Sequence, residues 1–508
     1  MAQFYYYQFL LFLLLPLAAG ENEISIPLRR ARLPLLLDPF DRLSGMASAS
    51  LLRAQLLKKP TTTSPSTRAA LFPHSYGGYS INISFGTPPQ EIPLVFDTGS
   101  QLTWIPCTTK YNCQNCSSQA NSIPTFFPKA SSTSKLIGCK NTKCGWIHSP
   151  EFLSRCRNCL PSNSSDCSQI CPPYLLVYGS GSTAGLLLSE TLQFSTLTAT
   201  DFLVGCSVFS DRMPGGGIAG FGRGVSSLPD QLRLKSFSYC LISRKFDDTG
   251  ESGSLVLNGV PDSGDGEVSF TPLLKNPVPA ATAADATYGA EAFSVYYYVG
   301  LRRITVGGKK VKIPHKALVP GLDGNGGTIV DSGTTFTFME PAVFEPLAAA
   351  FVGQVAGKLS RSGQVEVLTG LRPCFEIPDR ESNYSFPDLV FHFKGGAEMR
   401  LPLENYFAIV GTSQPAICLT IVSPNGAVGV GDEGPSIILG SFQQQNYYVI
   451  YDLERERTDV EGEEDEAAPE LVPEHVPEPV PIRQQSQLDQ LVERFDQWEA
   501  MFDSYVVV

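Results

Sequence analysis

The sequence predicts an all-β, bilobal fold with a cleft between two β lobes. Three observations carry that expectation. Two segments nearly repeat each other: Val95-Phe96-Asp97-Thr98-Gly99-Ser100 and, 234 residues later (331 against 97), Ile329-Val330-Asp331-Ser332-Gly333-Thr334. Each is a buried-strand ending followed by Asp, a small hydroxyl residue, Gly and a second hydroxyl residue. Each is then answered by a hydrophobic pair closed by Gly. Ile218-Ala219-Gly220 ends 123 residues after the first Asp, and Ile438-Leu439-Gly440 ends 109 residues after the second. Finally, 45 Gly and 39 Pro in 508 residues fit a turn-rich, mostly β chain. A strand-and-turn unit used twice implies two similar lobes, each delivering one carboxylate to a shared site.

Two carboxylates held close together cannot both ionise easily, so they share a proton. One then serves as base and the other as acid, which is chemistry suited to activating a water molecule against an amide. The pair of motifs and their distant partners resembles the pepsin-type aspartic proteases, and the resemblance covers residues 75–457. In that family the hydrophobic-hydrophobic-Gly strand packs against the loop carrying the Asp. The resemblance implies an aspartic-type endopeptidase with Asp97 and Asp331 catalytic and Thr98 and Ser332 bracing the loops. Ser100 and Thr334 would orient the carboxylates. Activity is expected at acidic pH, where the dyad holds one proton, with no metal and no other cofactor. Protein or peptide substrates and a monomeric enzyme are expected.

In chain order, an apolar run at 9–19 closes with Leu17-Ala18-Ala19-Gly20, so residues 1–20 read as a secretory signal peptide. The run falls short of the roughly 18 residues a membrane span needs, and no other segment reaches that length, so no span is expected. Residues 21–73 carry Arg29, Arg30, Arg32, Arg42, Arg53, Lys58, Lys59 and Arg68 against few acids, with a helix candidate at 47–59. The resemblance implies a propeptide of a zymogen, its cations covering an acidic cleft until low pH releases them. The first lobe is placed at 74–239. Residues 79–85 alternate as a strand, 86–90 turn, and a second strand over 92–96 delivers Asp97. Trp104 follows seven positions later, where the family places the partner of its flap tyrosine. Residues 174–182 read as a hairpin with a Gly-rich tip. It resembles the family's flap, with Tyr178 as the flap tyrosine. The second lobe is placed at 240–457, with a strand over 296–306 and a helix over 341–355.

Nine cysteines crowd an insertion at 107–171: Cys107, Cys113, Cys116, Cys139, Cys144, Cys156, Cys159, Cys167 and Cys171. The insertion resembles that of the nepenthesin-like plant aspartic proteases and is expected to be a stapled surface loop. Zinc is the competing reading for Cys113-x2-Cys116 and Cys156-x2-Cys159, but an exported, Cys-dense chain favours disulfides. By resemblance the nine plus Cys206 make five bridges, with Cys116/Cys206 and Cys139/Cys171 as candidate pairs. Cys374 and Cys418 would make a sixth, leaving Cys240 unpaired. Sequons at Asn82, Asn115, Asn163 and Asn383 agree with export through the secretory pathway to the cell wall space, a vacuole or the exterior.

After residue 457 the resemblance stops. Residues 458–508 form an acidic, Pro-rich stretch of disorder-prone composition, followed by helical apolar spacing over 487–502. Its partner is unassigned. From Asp459 onward there are 14 acidic and 2 basic residues, a charge of −12 that equals the charge of the whole chain. The preceding body is therefore neutral overall, and no basic patch argues for nucleic acid. Five scattered His residues form no His-Glu-x-x-His, and Gly215–Gly222 lacks the Lys of a phosphate loop. The rival function is a non-catalytic secreted binding protein of the same fold, as in the xylanase-inhibitor-like proteins. Those usually lose a catalytic Asp or its motif, and both are intact here. An unstable product of an altered gene end is compatible with either function.

Overall fold

The computed structural model describes residues 24–30, seven positions from 40 to 51 (Phe40, Leu43, Ser44, Met46, Ala47, Ser50 and Leu51) and most of 78–454. The signal-peptide stretch, the tail at 458–508, Cys159, Cys167, Asn163 and Asn383 lie outside the described residues.

The first lobe is built from β1 (Ile24–Arg30), β2 (Tyr79–Phe85), β3 (Gln90–Asp97), β4 (Trp104–Pro106), β5 (Asn112–Gln114), β6 (Lys135–Leu136), β7 (Tyr174–Val177), β8 (Ser182–Phe194), β9 (Leu197–Asp211) and β10 (Ile218–Gly220). In β2 the alternation seen in the sequence becomes a two-faced strand. Tyr79, Ile81, Ile83 and Phe85 turn inward and Asn82 turns out. Strand β3 buries Ile92, Leu94 and Phe96 on the same side and ends in a buried Asp97.

β11 (Ser236–Cys240) and β12 (Gly253–Leu257) extend this sheet instead of opening a second one. The order β25-β11-β12-β1-β2-β3 runs from the last strand of the described residues, β25 (Tyr448–Asp452), into the first lobe. A lobe boundary at residue 240 thus falls within β11. Strand β1, inside the expected propeptide, is hydrogen-bonded between β12 and β2.

The second lobe comprises β13 (Tyr297–Val299), β14 (Leu301–Val306), β15 (Lys309–Lys310), β16 (Thr328–Asp331), β17 (Thr337–Met339), β18 (Cys374–Glu376), β19 (Leu389–Phe393), β20 (Glu398–Leu401), β21 (Phe407–Val410), β22 (Ala416–Leu419), β23 (Ile421–Val422) and β24 (Ile437–Gly440). The single strand expected over 296–306 is divided at Gly300. β13 pairs with β16 and β14 with β19, so the two halves serve different sheets. Helix α1 (Pro341–Val355) matches the expected span. Pro341 starts it, and Val343, Phe344, Leu347, Phe351 and Val355 bury one face at helical spacing. A shorter helix, α2 (Gly363–Thr369), follows. One apolar core joins the lobes beneath the two aspartates. It takes Phe96, Phe221, Phe237 and Tyr239 from one side and Tyr297, Val330, Leu439 and Tyr451 from the other.

Candidate active site

The two aspartates sit in matching settings. Asp97 is 1 % exposed and Asp331 is fully buried. The Gly99 N–H donates to Asp97 Oδ1 at 2.9 Å and the Ser100 hydroxyl to Oδ2 at 2.6 Å. The Gly333 N–H donates to Asp331 Oδ1 at 2.9 Å and the Thr334 hydroxyl to Oδ2 at 2.5 Å. Each carboxylate thus receives the same two donors from the residues two and three positions downstream.

Thr98 and Ser332 lock the two loops across the lobe junction. Thr98 N–H donates to Ser332 Oγ at 3.1 Å, and Ser332 N–H donates to Thr98 Oγ1 at 2.9 Å. Ser332 Oγ donates onward to Phe96 O at 3.0 Å, while Thr98 Oγ1 lies 3.4 Å from Val330 O.

The hydrophobic-hydrophobic-Gly strands run directly beside the aspartate strands. β10 pairs in parallel with β3, Gly220 opposite Asp97, and β24 pairs in parallel with β16, Gly440 opposite Asp331. Glycine is required at both positions. A Cβ on Gly220 would stand 2.3 Å from Gln101 O, and one on Gly440 would stand 2.6 Å from Thr335 O. The loops are then tied down by Gly222 N–H to Ser100 O and by Ser441 N–H to Thr334 O.

Sequence reasoning missed two residues here. Thr103 Oγ1 accepts from Gly220 N–H at 3.2 Å, and Thr337 Oγ1 accepts from Gly440 N–H at 3.1 Å. Both are buried, and both stand six positions after their aspartate, which was the available signal.

The structure brings Tyr178 and Trp104 together. The indole N–H donates to the Tyr178 hydroxyl at 3.0 Å, and the rings lie 6.5 Å apart. Tyr178 closes the strand pair of β7 and β8 through its backbone bonds with Gly181, while the tip at Gly179 and Ser180 lies outside the described residues. Behind this pair, Ile137, Cys144 and Cys171 of the insertion are buried against Trp104, Tyr174 and Leu187. The insertion therefore braces the base of the hairpin as well as covering surface.

Its bridges correct two candidate pairs. Cys206 is bonded to Cys107, not Cys116, because β4 and β9 run in parallel with Ile105 opposite Cys206 and bring residue 107 to the same place. Cys116 closes on Cys113 within one turn. Cys139 is bonded to Cys156, and Cys171 to Cys144. Cys374 and Cys418 face each other in register across β18 and β22 and are bonded. Cys240 carries a free thiol, its pKa raised by burial. Among the described residues no group of His, Cys, Asp and Glu is arranged to hold a metal, and no helix is long and apolar enough to cross a membrane. Asn82 and Asn115 are exposed, with their amides on Glu91 and Asp211.

The segment ahead of the first lobe reaches the second aspartate loop. The positions described from 40 to 51 are helical, which starts the helix earlier than the expected 47–59. Leu43, Met46, Ala47 and Ser50, at helical spacing, are buried. The first three pack in a cluster with Phe293, Tyr296, Phe336 and Phe442. Ser50 Oγ accepts from Phe336 N–H at 2.8 Å, two residues past Thr334. The described contact is thus apolar and hydrogen-bonded. Of the cations expected to make it, Arg29 and Arg30 lie in β1 opposite Ser80 and Tyr79, and the others, Arg42 and Arg53 among them, lie outside the described residues.

Comparison with known proteins is consistent along the chain. A family model described as xylanase inhibitor N-terminal matches residues 79–258, and one described as xylanase inhibitor C-terminal matches residues 296–459. Aspartic proteinase nepenthesin-1 of Nepenthes gracilis is 31% identical over 381 residues, covering 74% of this chain and 75% of that protein. Aspartyl protease family protein 2 of Arabidopsis thaliana is 31% identical over 390 residues, covering 75% and 70%. In fold, the crystal structures of edgp and of basic 7S globulin from soybean each align with a TM-score of 0.52 over 85% of this chain. Their coverage is 92% and 93% and their identity 19% and 17%, a likeness of fold alone.

Proposed function

The chain belongs to the pepsin-like family of plant aspartic proteases, and from that membership we propose that it is an aspartic-type endopeptidase acting at acidic pH. One observation carries the reading: two carboxylates, each held by an N–H and a hydroxyl from its own loop, in loops bound to one another through Thr98 and Ser332. A binding protein of this fold has no need of that duplicated setting. A nucleophilic water sits between Asp97 and Asp331. The ionised member takes a proton from it as its oxygen attacks the scissile carbonyl carbon. The protonated member hydrogen-bonds the carbonyl oxygen, and a proton then passes to the leaving nitrogen. Tyr178, held by Trp104, closes over the peptide. The segment at 21–73 is the propeptide of a zymogen, docked on the second lobe through Met46 and Ser50, and the product is exported and glycosylated.

A second reading is favoured by the description of the matching family models, which name xylanase inhibitors. In it the chain is a non-catalytic binding protein. One experiment divides the two: digestion of a denatured protein at acidic pH, with and without a statine-type inhibitor, by the chain and by Asp97→Asn and Asp331→Asn. Inhibitor-sensitive cleavage that disappears in both variants supports the endopeptidase. Cleavage that survives either change, or its absence from the unaltered chain after acid processing, overturns it.

A further inference from the structure

The sheet β15-β14-β19-β20 has two unlike faces. On one, Ile304, Val306, Leu389, Phe391 and Leu401 pack into the core of the second lobe. The other is charged. Arg400, Val390, Thr305 and Lys310 form a row straight across its four strands. The two carboxylates beside that row are already engaged. Glu398 Oε1 meets His392 Nδ1 at 2.8 Å, and Arg400 Nη1 donates to Asp388 Oδ2 at 3.2 Å. Arg302, Arg303, Lys309, Lys310 and Lys312 are exposed, and among the described residues no carboxylate pairs with any of them. Five unanswered cations thus gather at one edge of a body that is neutral overall.

The complementary charge lies in this same chain. Residues 459–466 carry six carboxylates, at Asp459, Glu461, Glu463, Glu464, Asp465 and Glu466, and no cation. Positions 459, 461, 463 and 465 share one side of an extended chain, with the same period as Lys310 and Lys312 about the buried Val311. The tail is also long enough to arrive. Tyr447, just ahead of β25, donates its hydroxyl to Arg400 O, at the end of the row that leads to Lys310. Three strand spacings, about 14 Å, separate Arg400 from Lys310. Glu454 is the last described residue, seven positions past Tyr447 and at most about 24 Å from it. Glu466 lies 12 positions further on, within reach of about 41 Å. We propose that the acidic run at 459–466 lies along β14 and β15, paired with Arg303, Lys310 and Lys312, so that the tail covers the outer face of the second lobe. A single exposed ion pair is weak. Six carboxylates on a short tether act together, at an effective concentration of about 1 mM, and a free polyanion must displace them to bind.

Zero-length carbodiimide crosslinking of the full chain joins a Lys amine only to a carboxylate in contact with it. At low salt, mass spectrometry is expected to find Lys309, Lys310 or Lys312 joined to residues 459–466 of the same molecule. The yield should fall about tenfold in about 1 M salt, where charges are screened beyond about 3 Å. Arg302→Glu with Arg303→Glu changes two exposed side chains, leaves every Lys available, and should also lower the yield about tenfold. In a second measurement, a chain with the six carboxylates changed to amides should elute from immobilised polyglutamate at higher salt than the unaltered chain, and the two Arg substitutions should abolish that gain. Links from the acidic run to Lys58 or Lys59 instead, links only between different molecules, or yields that ignore the Arg substitutions would overturn the proposal. So would equal elution of the two chains, which would mean that the face is already bare.

Discussion

At Trp104 a single N–H reaches across to the hairpin, and its loss can be separated from loss of bulk. Trp104→Phe retains an aromatic ring in a fully buried position but removes the donor to Tyr178. One neutral hydrogen bond is worth about 1 kcal/mol, so KM for a peptide substrate is expected to rise about fivefold with kcat little changed. Steady-state kinetics on one peptide would check this, and an unchanged KM would mean that the bond does not hold the hairpin over substrate. At this scale the sequence was partly legible. Asp97, Asp331 and their hydroxyl neighbours are readable because chemistry repeats at fixed offsets, and Thr103 and Thr337 share an offset that could have been read the same way. The buried hydrogen bonds that join Tyr239 to Gln444 and Tyr451 are not readable. The partners are 205 and 212 residues away, and no repeat marks the pairing. The disulfides of the insertion were illegible for a related reason. Cys spacing is silent about which strand lies beside which, and the β4–β9 register is what delivers Cys107 to Cys206.

Among the elements, the paired strands β16 and β24 carry the strictest demand. Gly440→Ala would push a methyl group to 2.6 Å from Thr335 O and 2.8 Å from Phe336 C, both backbone atoms that cannot swing aside. A loss of about 3 kcal/mol or more is expected, in the range of severe overpacking. Gly353→Ala is the matched contrast. It lies inside α1 with nothing within 4 Å of the added carbon, and a gain of up to about 1 kcal/mol is expected from helix propensity. Urea unfolding of both variants would check the pair, and equal midpoints would show that the close approach is not rigid. Strand β2 and helix α1 were legible because each buries one face at its own period. The split at Gly300 and the strand at Ile24–Arg30 were not, because their partners on other sheets decide them.

Across the whole molecule, the chain ahead of the first lobe joins both halves: β1 lies in the shared sheet and the helical positions from 40 to 51 lie on the second lobe. Met46 is fully buried there. Met46→Glu would place a carboxylate in an apolar contact, a cost the helix can escape only by leaving. The expected outcome is that an added protease cuts within residues 30–60 at neutral pH much faster than in the unaltered chain, while the body at 78–454 stays intact. Mass spectrometry of the digest reads this directly, and equal protection in both proteins would count against a docked, removable segment. The sheet order also has a consequence for the order of synthesis. Strand β11 lies next to β25, so Tyr239 meets Tyr451 only after 212 further residues have been made. A nascent chain emerging from the ribosome therefore carries Asp97 and its loop long before the strand that closes the sheet beneath them. Both aspartate loops are thus synthesised before the strands that flank and close them, β24 beside Asp331 and β25 beside β11, so the bracing of the site is the last part of the described body to be made.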